Sequence, residues 1–346
     1  MPTVNRILIV GLGSIGKRHL RIARELLPDA DIRILRHQEC ESVPEYANDC
    51  ISSLEEAIAF GPQLAVIANP ATYHMQVALP LARAGVHLLI EKPLSALLDN
   101  VQKLLKECRR HGTVLATGYN LRFLPSLQCF REILHDGVIG KILSVRCEIG
   151  QYLPSWRPDT DYRQGVSARR ELGGGALLEL SHEIDYVRWI FGEIDWVQAT
   201  LSRQSNLNID VEDSAYLLFG FAASANQQTL IASVNLDFIR HDITRLCTAI
   251  GEHGSLRWNG LTGVVEQYEV GAKTWHVTFS QQQQRDESYL AEWQHFLSCI
   301  NKETLPLISG EDGLTVLRVI EAARQASDTE RRVRVSDVSN SKKELA

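Results

Sequence analysis

The first residues able to do chemistry lie near the N-terminus. Gly11-Leu12-Gly13-Ser14-Ile15-Gly16 follows Arg6-Ile7-Leu8-Ile9-Val10, which reads as a buried strand, and opens a helix-patterned stretch over Ile15–Leu27. In that setting Gly11 permits a tight turn, Gly13 leaves the backbone bare for a pyrophosphate, and Gly16 lets the helix lie close on the sheet. The helix start around Ser14 and Ile15 adds backbone N–H groups and a partial positive charge for phosphates. The spacing predicts a dinucleotide site; a methyl donor on a related loop and a ligand-free glycine turn are the alternatives. About 20 residues past such a loop an acid usually holds the ribose hydroxyls. Here the strand Asp31–Leu35 ends in Arg36-His37-Gln38 instead. Arg36 suits a 2′-phosphate or stacks on the adenine, and Glu39 would restore an acid by folding back. The cofactor expected is NAD(P), with Arg36 tilting the choice towards NADP.

Two further positions suit proton chemistry. Lys92 follows the strand-like His87–Ile90, at the carboxyl edge where open α/β sheets bind ligands. Its neighbours Leu89, Ile90 and Pro93 are apolar, and a desolvated lysine exchanges protons readily; the plainer reading is a surface lysine beside a turn. His182 stands in Leu180-Ser181-His182-Glu183-Ile184-Asp185-Tyr186-Val187-Arg188-Trp189, on a helix whose apolar positions are Ile184, Val187 and Ile190. An imidazole can take a hydroxyl proton and return it near neutral pH. Asp185, three residues on, shares its helix face and would orient the ring or hold a substrate hydroxyl. The plainer pairing is a packing histidine with a capping aspartate.

Elements of two kinds must position these residues. Over the first third, short runs rich in Val, Ile and Leu (Arg6–Val10, Asp31–Leu35, Leu64–Ala68, His87–Ile90, Thr113–Thr117) alternate with helical patterns, including Thr72–Ala84 and Ser95–Arg110 with Ser95 as N-cap. This alternation predicts a Rossmann-type, doubly wound parallel sheet over residues 1–119. Beyond it come a helix over Leu124–His135, a strand over Lys141–Gly150, a polar and aromatic loop, and a helix over Gly175–Phe191. Seven strand-like runs between Trp196 and Phe279 follow, with turns such as Glu252-His253-Gly254, and helices Glu287–Asn301 and Asp312–Ser327 close the chain. Residues 120–336 therefore read as an α+β domain on an open, mostly antiparallel sheet, and 337–346 as a polar tail. Apolar residues on both faces of Tyr216–Phe221 and Leu230–Leu236 predict a homodimer or homotetramer through that sheet.

At 346 residues the chain can bury a large core, and its net charge of -6 argues against nucleic acid and anionic membranes as partners. No apolar run approaches the roughly 20 residues of a membrane helix, and the strand pattern begins too early for a signal peptide. A cytoplasmic protein is expected. The seven cysteines form no C-x-x-C pair and no zinc spacing, so they read as small buried hydrophobes in a reducing compartment, and no metal is expected.

Several spaced motifs together resemble one family over the whole chain. They are the glycine loop, Asn69-Pro70-Ala71-Thr72-Tyr73-His74, Gly85-Val86-His87 leading to Glu91-Lys92-Pro93, and Gly173-Gly174-Gly175 followed by His182-Glu183-Ile184-Asp185. They resemble the glucose-fructose oxidoreductase / inositol dehydrogenase / MocA group. Tyr152-Leu153-Pro154-Ser155-Trp156-Arg157-Pro158 with Asp161-Tyr162-Arg163 looks like a subgroup associated with sialic-acid-like or surface-polysaccharide sugars.

The resemblance implies hydride transfer between a nicotinamide and a secondary hydroxyl or keto group of a sugar or nucleotide sugar. In that mechanism His182 removes the hydroxyl proton and Lys92 steadies the oxygen. It further implies that Asn69, Pro70, His74, Glu91 and Lys92 face the nicotinamide ribose. Tyr119, Asn120 and Arg122 would meet nicotinamide or substrate. Trp156, Arg157, Tyr162 and Arg163 pair aromatic faces with fork-shaped cations suited to a sugar ring and an anionic group. One departure stands out: the aspartate often found four residues before the histidine is Leu178 here, and neighbouring Glu179 would replace it only through a shifted helix register. A dinucleotide-binding sensor without catalysis and a reductase of non-sugar substrates are the competing readings.

Overall fold

The computed structural model describes residues 4–36, 42–222, 229–282 and 284–338. They form two compact units, Met1–Asn120 with Ser288–Leu317, and Leu121–Glu287 with the segment from Arg318. In chain order the first unit opens with β1 (Arg6–Val10), α1 (Ser14–Leu26), β2 (Asp31–Leu35), β3 (Asp49–Ile51), α2 (Leu54–Phe60) and β4 (Leu64–Ile67). It continues with α3 (His74–Arg83), β5 (His87–Glu91), α4 (Val101–His111) and β6 (Leu115–Gly118). The second unit follows with α5 (Pro125–His135), β7 (Ile142–Gly150), α6 (Ala176–Glu179) and α7 (His182–Phe191). Its later strands are β8 (Ile194–Ser202), β9 (Ser214–Phe221), β10 (Ile231–Asp237), β11 (Thr244–Gly251), β12 (Gly254–Asn259), β13 (Val264–Glu269) and β14 (His276–Ser280). Helices α8 (Glu287–Ile300) and α9 (Gly310–Thr329) and the short β15 (Val333–Arg334) end the chain.

In the first unit six parallel strands lie in the order β3-β2-β1-β4-β5-β6. Ile7, Leu8, Ile9 and Val10 of β1 are all buried, as a central parallel strand covered on both faces must be. Ile7, Ile9, Val66 and Leu89 pack in one cluster with Leu20 and Ala23 of α1 and with Trp293, Phe296 and Ile300 of α8. The first compact unit thus takes in Ser288–Leu317 beside the N-terminal segment. One sheet face needs more cover than α1 supplies, and the distant α8 (Glu287–Ile300) provides it.

Two local expectations also change. β3 and α2 went unread, although Ser53 caps α2 by accepting from the Glu56 N–H at 3.2 Å. The helix expected from Ser95 starts at Val101, because Leu94, Ser95, Ala96 and Leu98 are buried in turns and the Ala96 N–H bonds to Ala71 O. Cys50 on β3 is disulfide-bonded, with its partner outside the described residues, so the expectation of reduced thiols throughout does not hold there. Cys108, Cys129, Cys147, Cys247 and Cys299 are free.

The second unit is built on nine strands in the order β14-β13-β12-β11-β7-β10-β9-β8-β15. Every pair is antiparallel except the central β7–β10, which is parallel. α5 and α7 cover one face, where Tyr186 and Trp258 are wholly buried and the Trp258 indole N–H donates to Ser126 Oγ at 3.0 Å. Leu143, Tyr216, Leu218 and Ile231 remain exposed on the strands of this sheet. No described helix is long and apolar enough to cross a membrane.

Candidate active site

In the first unit the glycine loop joins β1 to α1. Gly11 has φ +85°, and a Cβ there would lie 2.9 Å from the Asn69 backbone, so only glycine fits. A Cβ on Gly16 would collide with the Gly11 carbonyl oxygen. Gly13 is different: nothing lies within 4 Å of where its Cβ would be, so the space beside it is open. Gly13 is also the N-cap of α1, with no side chain bonded across the helix start. An open backbone cradle at a helix N-terminus fits a dinucleotide pyrophosphate. Arg36 follows β2, tied through its N–H to Ile51 O at 3.1 Å. His37, Gln38 and Glu39 lie outside the described residues.

At the carboxyl ends of β4 and β5 the structure redistributes the expected roles. His74 is 1% exposed, with Nε2 2.8 Å from Asn69 O and Nδ1 3.2 Å from Leu94 O. It clips the turn after β4 to the turn after β5. Burial holds its proton affinity below the ordinary histidine value, despite the two carbonyls. Glu91 is likewise buried. Its Oε1 meets His19 Nε2 at 2.8 Å and its Oε2 accepts from the Lys92 N–H at 3.1 Å. Burial pushes this carboxyl upward, but the hydrogen bond from His19 and the neighbouring Lys92 charge outweigh it and hold Glu91 below the usual range. Lys92 itself is half-buried, not enclosed as its apolar neighbours suggested. Tyr119 is wholly buried, and the Asn120 amide donates to Ser288 Oγ at 2.7 Å.

In the second unit the segment expected as one helix is two. α6 ends at Glu179, and α7 starts at His182 after a break at Leu180-Ser181. Gly175, with φ +108°, precedes α6 because a Cβ there would collide with the Glu212 carboxylate, which caps the helix by accepting the Leu177 N–H at 3.0 Å. Burial pushes the Glu212 carboxyl upward. Leu178 is buried and Glu179 accepts from Ser167 Oγ at 2.6 Å, so the departure from the aspartate pattern is occupied by packing and by a loop anchor.

His182 is half-buried at the first residue of α7. Asp185, expected to orient it, takes a bidentate grip on Arg122 (2.9 and 2.6 Å), both side chains being at most 3% exposed. The two residues expected to meet ligands hold each other, because a buried carboxylate and a buried guanidinium are costly alone. Glu183, wholly buried, receives Arg245 Nε at 2.8 Å.

The polar loop is mostly tied down. The Trp156 indole N–H donates to Gln151 O at 3.0 Å, and its ring stands edge-on to Phe238 with centroids 5.2 Å apart. It anchors the loop on the sheet. Tyr162 Oη accepts from the Asn208 N–H at 3.3 Å, Arg163 is clamped to Asp161 at 2.8 Å, and Arg157 is exposed. His19, Trp293, Glu212 and Glu292 were not legible as site residues, since none falls in a motif. Among the described residues no cluster of metal-binding side chains occurs.

Known proteins share this plan. The description "Oxidoreductase family, NAD-binding Rossmann fold" matches residues 5–119, and "Oxidoreductase family, C-terminal alpha/beta domain" matches 131–335. Myo-inositol 2-dehydrogenase of Thermotoga maritima is 26% identical, covering 96% of this chain and 99% of the relative. Among solved structures, levoglucosan dehydrogenase in complex with NADH and L-sorbose superposes with a TM-score of 0.83 at 20% identity, covering 96% of this chain and 98% of that one. The WlbA dehydrogenase of Bordetella pertussis with NADH and UDP-GlcNAcA gives 0.77 at 21%, covering 96% and 99%.

Proposed function

This chain belongs to the Gfo/Idh/MocA oxidoreductase family, and from that premise we propose that it oxidises a secondary hydroxyl, or reduces the matching ketone, of a sugar or nucleotide sugar. The carrying observation is the retention, in one chain, of the open glycine cradle at Gly13 and of half-buried Lys92 and His182 in their family motifs. The bound nicotinamide supplies the hydride acceptor or donor. Lys92 hydrogen-bonds the substrate oxygen and stabilises its developing charge, and His182 takes the hydroxyl proton. Asp185 and Arg122 act through α7 by fixing its first turns. Asn69, Pro70 and Asn120 serve the cofactor side, while Arg157 and the Tyr162–Arg163 segment serve an anionic sugar. The named activities of the relatives, dehydrogenases and a reductase of small sugars, favour catalysis over a sensor role.

A sialic-acid-like or surface-polysaccharide sugar is the preferred substrate class, supported by similarity to 2,7-anhydro-N-acetylneuraminate hydratases. Relatives solved with NADH make NAD the reference cofactor, and Arg36 carries the preference for NADP, which competitive titration of the two reduced cofactors decides. The exposed Leu143, Tyr216, Leu218 and Ile231 are the surface through which copies associate, as sedimentation of Leu218→Glu against the parent would show. In a sugar-panel assay of nicotinamide absorbance, Lys92→Ala and His182→Ala each lower kcat by on the order of 100-fold or more with cofactor affinity kept. Parent-like turnover in either variant removes that residue from the mechanism.

A further inference from the structure

Behind Lys92 the first unit buries a chain of polar side chains that the proposed reaction does not use directly. The Trp293 indole N–H meets His19 Nδ1 at 2.9 Å, His19 Nε2 meets Glu91 Oε1 at 2.8 Å, and Glu91 Oε2 accepts the Lys92 N–H at 3.1 Å. Trp293 and His19 are 0% exposed and Glu91 is 7% exposed. An indole nitrogen can only donate, so His19 Nδ1 must accept, and the ring hydrogen belongs on Nε2, facing the carboxylate. Every contact in the chain thus has a fixed direction. β6 makes room for it: a Cβ on Gly118 would lie 3.2 Å from both Glu91 Cα and Oε2. Three apolar side chains would fill this volume more cheaply, because buried polar groups are tolerated only when fully paired.

We propose that Trp293 and His19 are positioning residues for the reaction at Lys92: they fix the Glu91 carboxylate, which fixes the main chain from which the lysine side chain leaves. The inference rests on the reading of Lys92 as the residue that holds the substrate oxygen. It gives α8 a second task beside covering the sheet, and it explains why a tryptophan and a histidine separated by 274 residues meet in the core. A small error in lysine placement costs turnover more than binding, since misplacement of a reacting group by about 1 Å costs on the order of 100-fold.

The test compares Trp293→Phe, which deletes only the indole donor, and Glu91→Gln, which keeps the shape but loses a carboxylate acceptor, with Lys92→Ala. In both positioning variants kcat falls on the order of 10- to 100-fold, while the NADH dissociation constant by fluorescence and the KM for sugar stay within about twofold. Nitrogen-15 spectra of the His19 ring show the Nε2–H tautomer in the parent and in Trp293→Phe, where Glu91 still accepts, but the Nδ1 resonance moves in Trp293→Phe as its hydrogen-bond donor is lost. If Lys92→Ala loses turnover but both positioning variants keep it, the positioning inference fails and the role of Lys92 stands. Full turnover in Lys92→Ala instead removes the reading beneath it. Loss of NADH affinity in parallel with kcat shows that the chain merely supports the cofactor loop, and a parent-like Nδ1 resonance in Trp293→Phe breaks the first link; either result overturns the proposal.

Discussion

The glycine loop of the first unit and the Gly173–Asp185 segment of the second solve opposite problems. At Gly13 the backbone is left bare, with no side chain across the helix start and open space where a Cβ would be. Around His182 almost every acid is engaged: Asp185 by Arg122, Glu183 by Arg245, Glu179 by Ser167, and Glu212 by the Leu177 N–H. A surface that receives an anion needs little except peptide N–H groups and the absence of side chains. The helix that begins at His182 is held instead by paired charges. The contrast shows why the first region tolerates a simple sequence pattern, while in the second a buried Leu178 sits within a packed, charge-paired segment.

The sharpest way to break this comparison is to unpair α7. Asp185→Ala strands a buried guanidinium, and a loss of about 3–5 kcal/mol is expected in urea unfolding. Arg122→Met combined with Asp185→Leu should recover most of it. A single variant within about 1 kcal/mol of the parent would mean that the pair does not hold the helix. The loop predicts the reverse pattern of costs. Gly13→Val should weaken NADH binding on the order of 10-fold or more, by obstructing the open cradle, while leaving the unfolding midpoint almost unchanged. Gly11→Ala should instead cost about 1–2 kcal/mol of stability, given φ +85° and the crowded Asn69 backbone. Equal effects of the two substitutions on stability would erase the distinction between a binding glycine and a folding glycine.

A pH-dependent effect concerns Glu292 on α8, a wholly buried acid with neither oxygen hydrogen-bonded. Burial first, and then the Glu91 charge, push its carboxyl well above the ordinary 4.5. The unfolded chain releases this proton above 4.5 while the folded chain keeps it, so stability falls as pH rises from there, by at most about 1.4 kcal/mol per unit, and levels off above the folded value. Glu292→Met removes that slope. Its stabilising effect should be small at pH 4.5 and larger at pH 7, and thermal unfolding at the two pH values checks the difference. An equal gain at both would place the ionised form in the native core.

Much of the frame was legible because it is local. β1, β2 and β9 fall where their apolar patterns put them, and the glycine loop lies between its strand and helix as its spacing required. The site was legible in part. Lys92 and His182 stand out by type and motif, whereas the protein partners of His74, Asp185, Arg122 and Trp156 could not be read from residue type. Residue type reveals that a side chain can bond, but not which partner burial will impose.

By itself the sequence determined the parallel character of the first sheet, the mostly antiparallel second sheet and the family, since these follow from periodicity and from short motifs within one strand and one turn. Only the tertiary structure decided that α8 completes the first unit, that Trp293 and His19 reach Glu91, and that Asp185 belongs to Arg122. Those facts join positions up to 274 residues apart. They are set by which polar groups must find partners once water is excluded, a condition that exists only in the folded core.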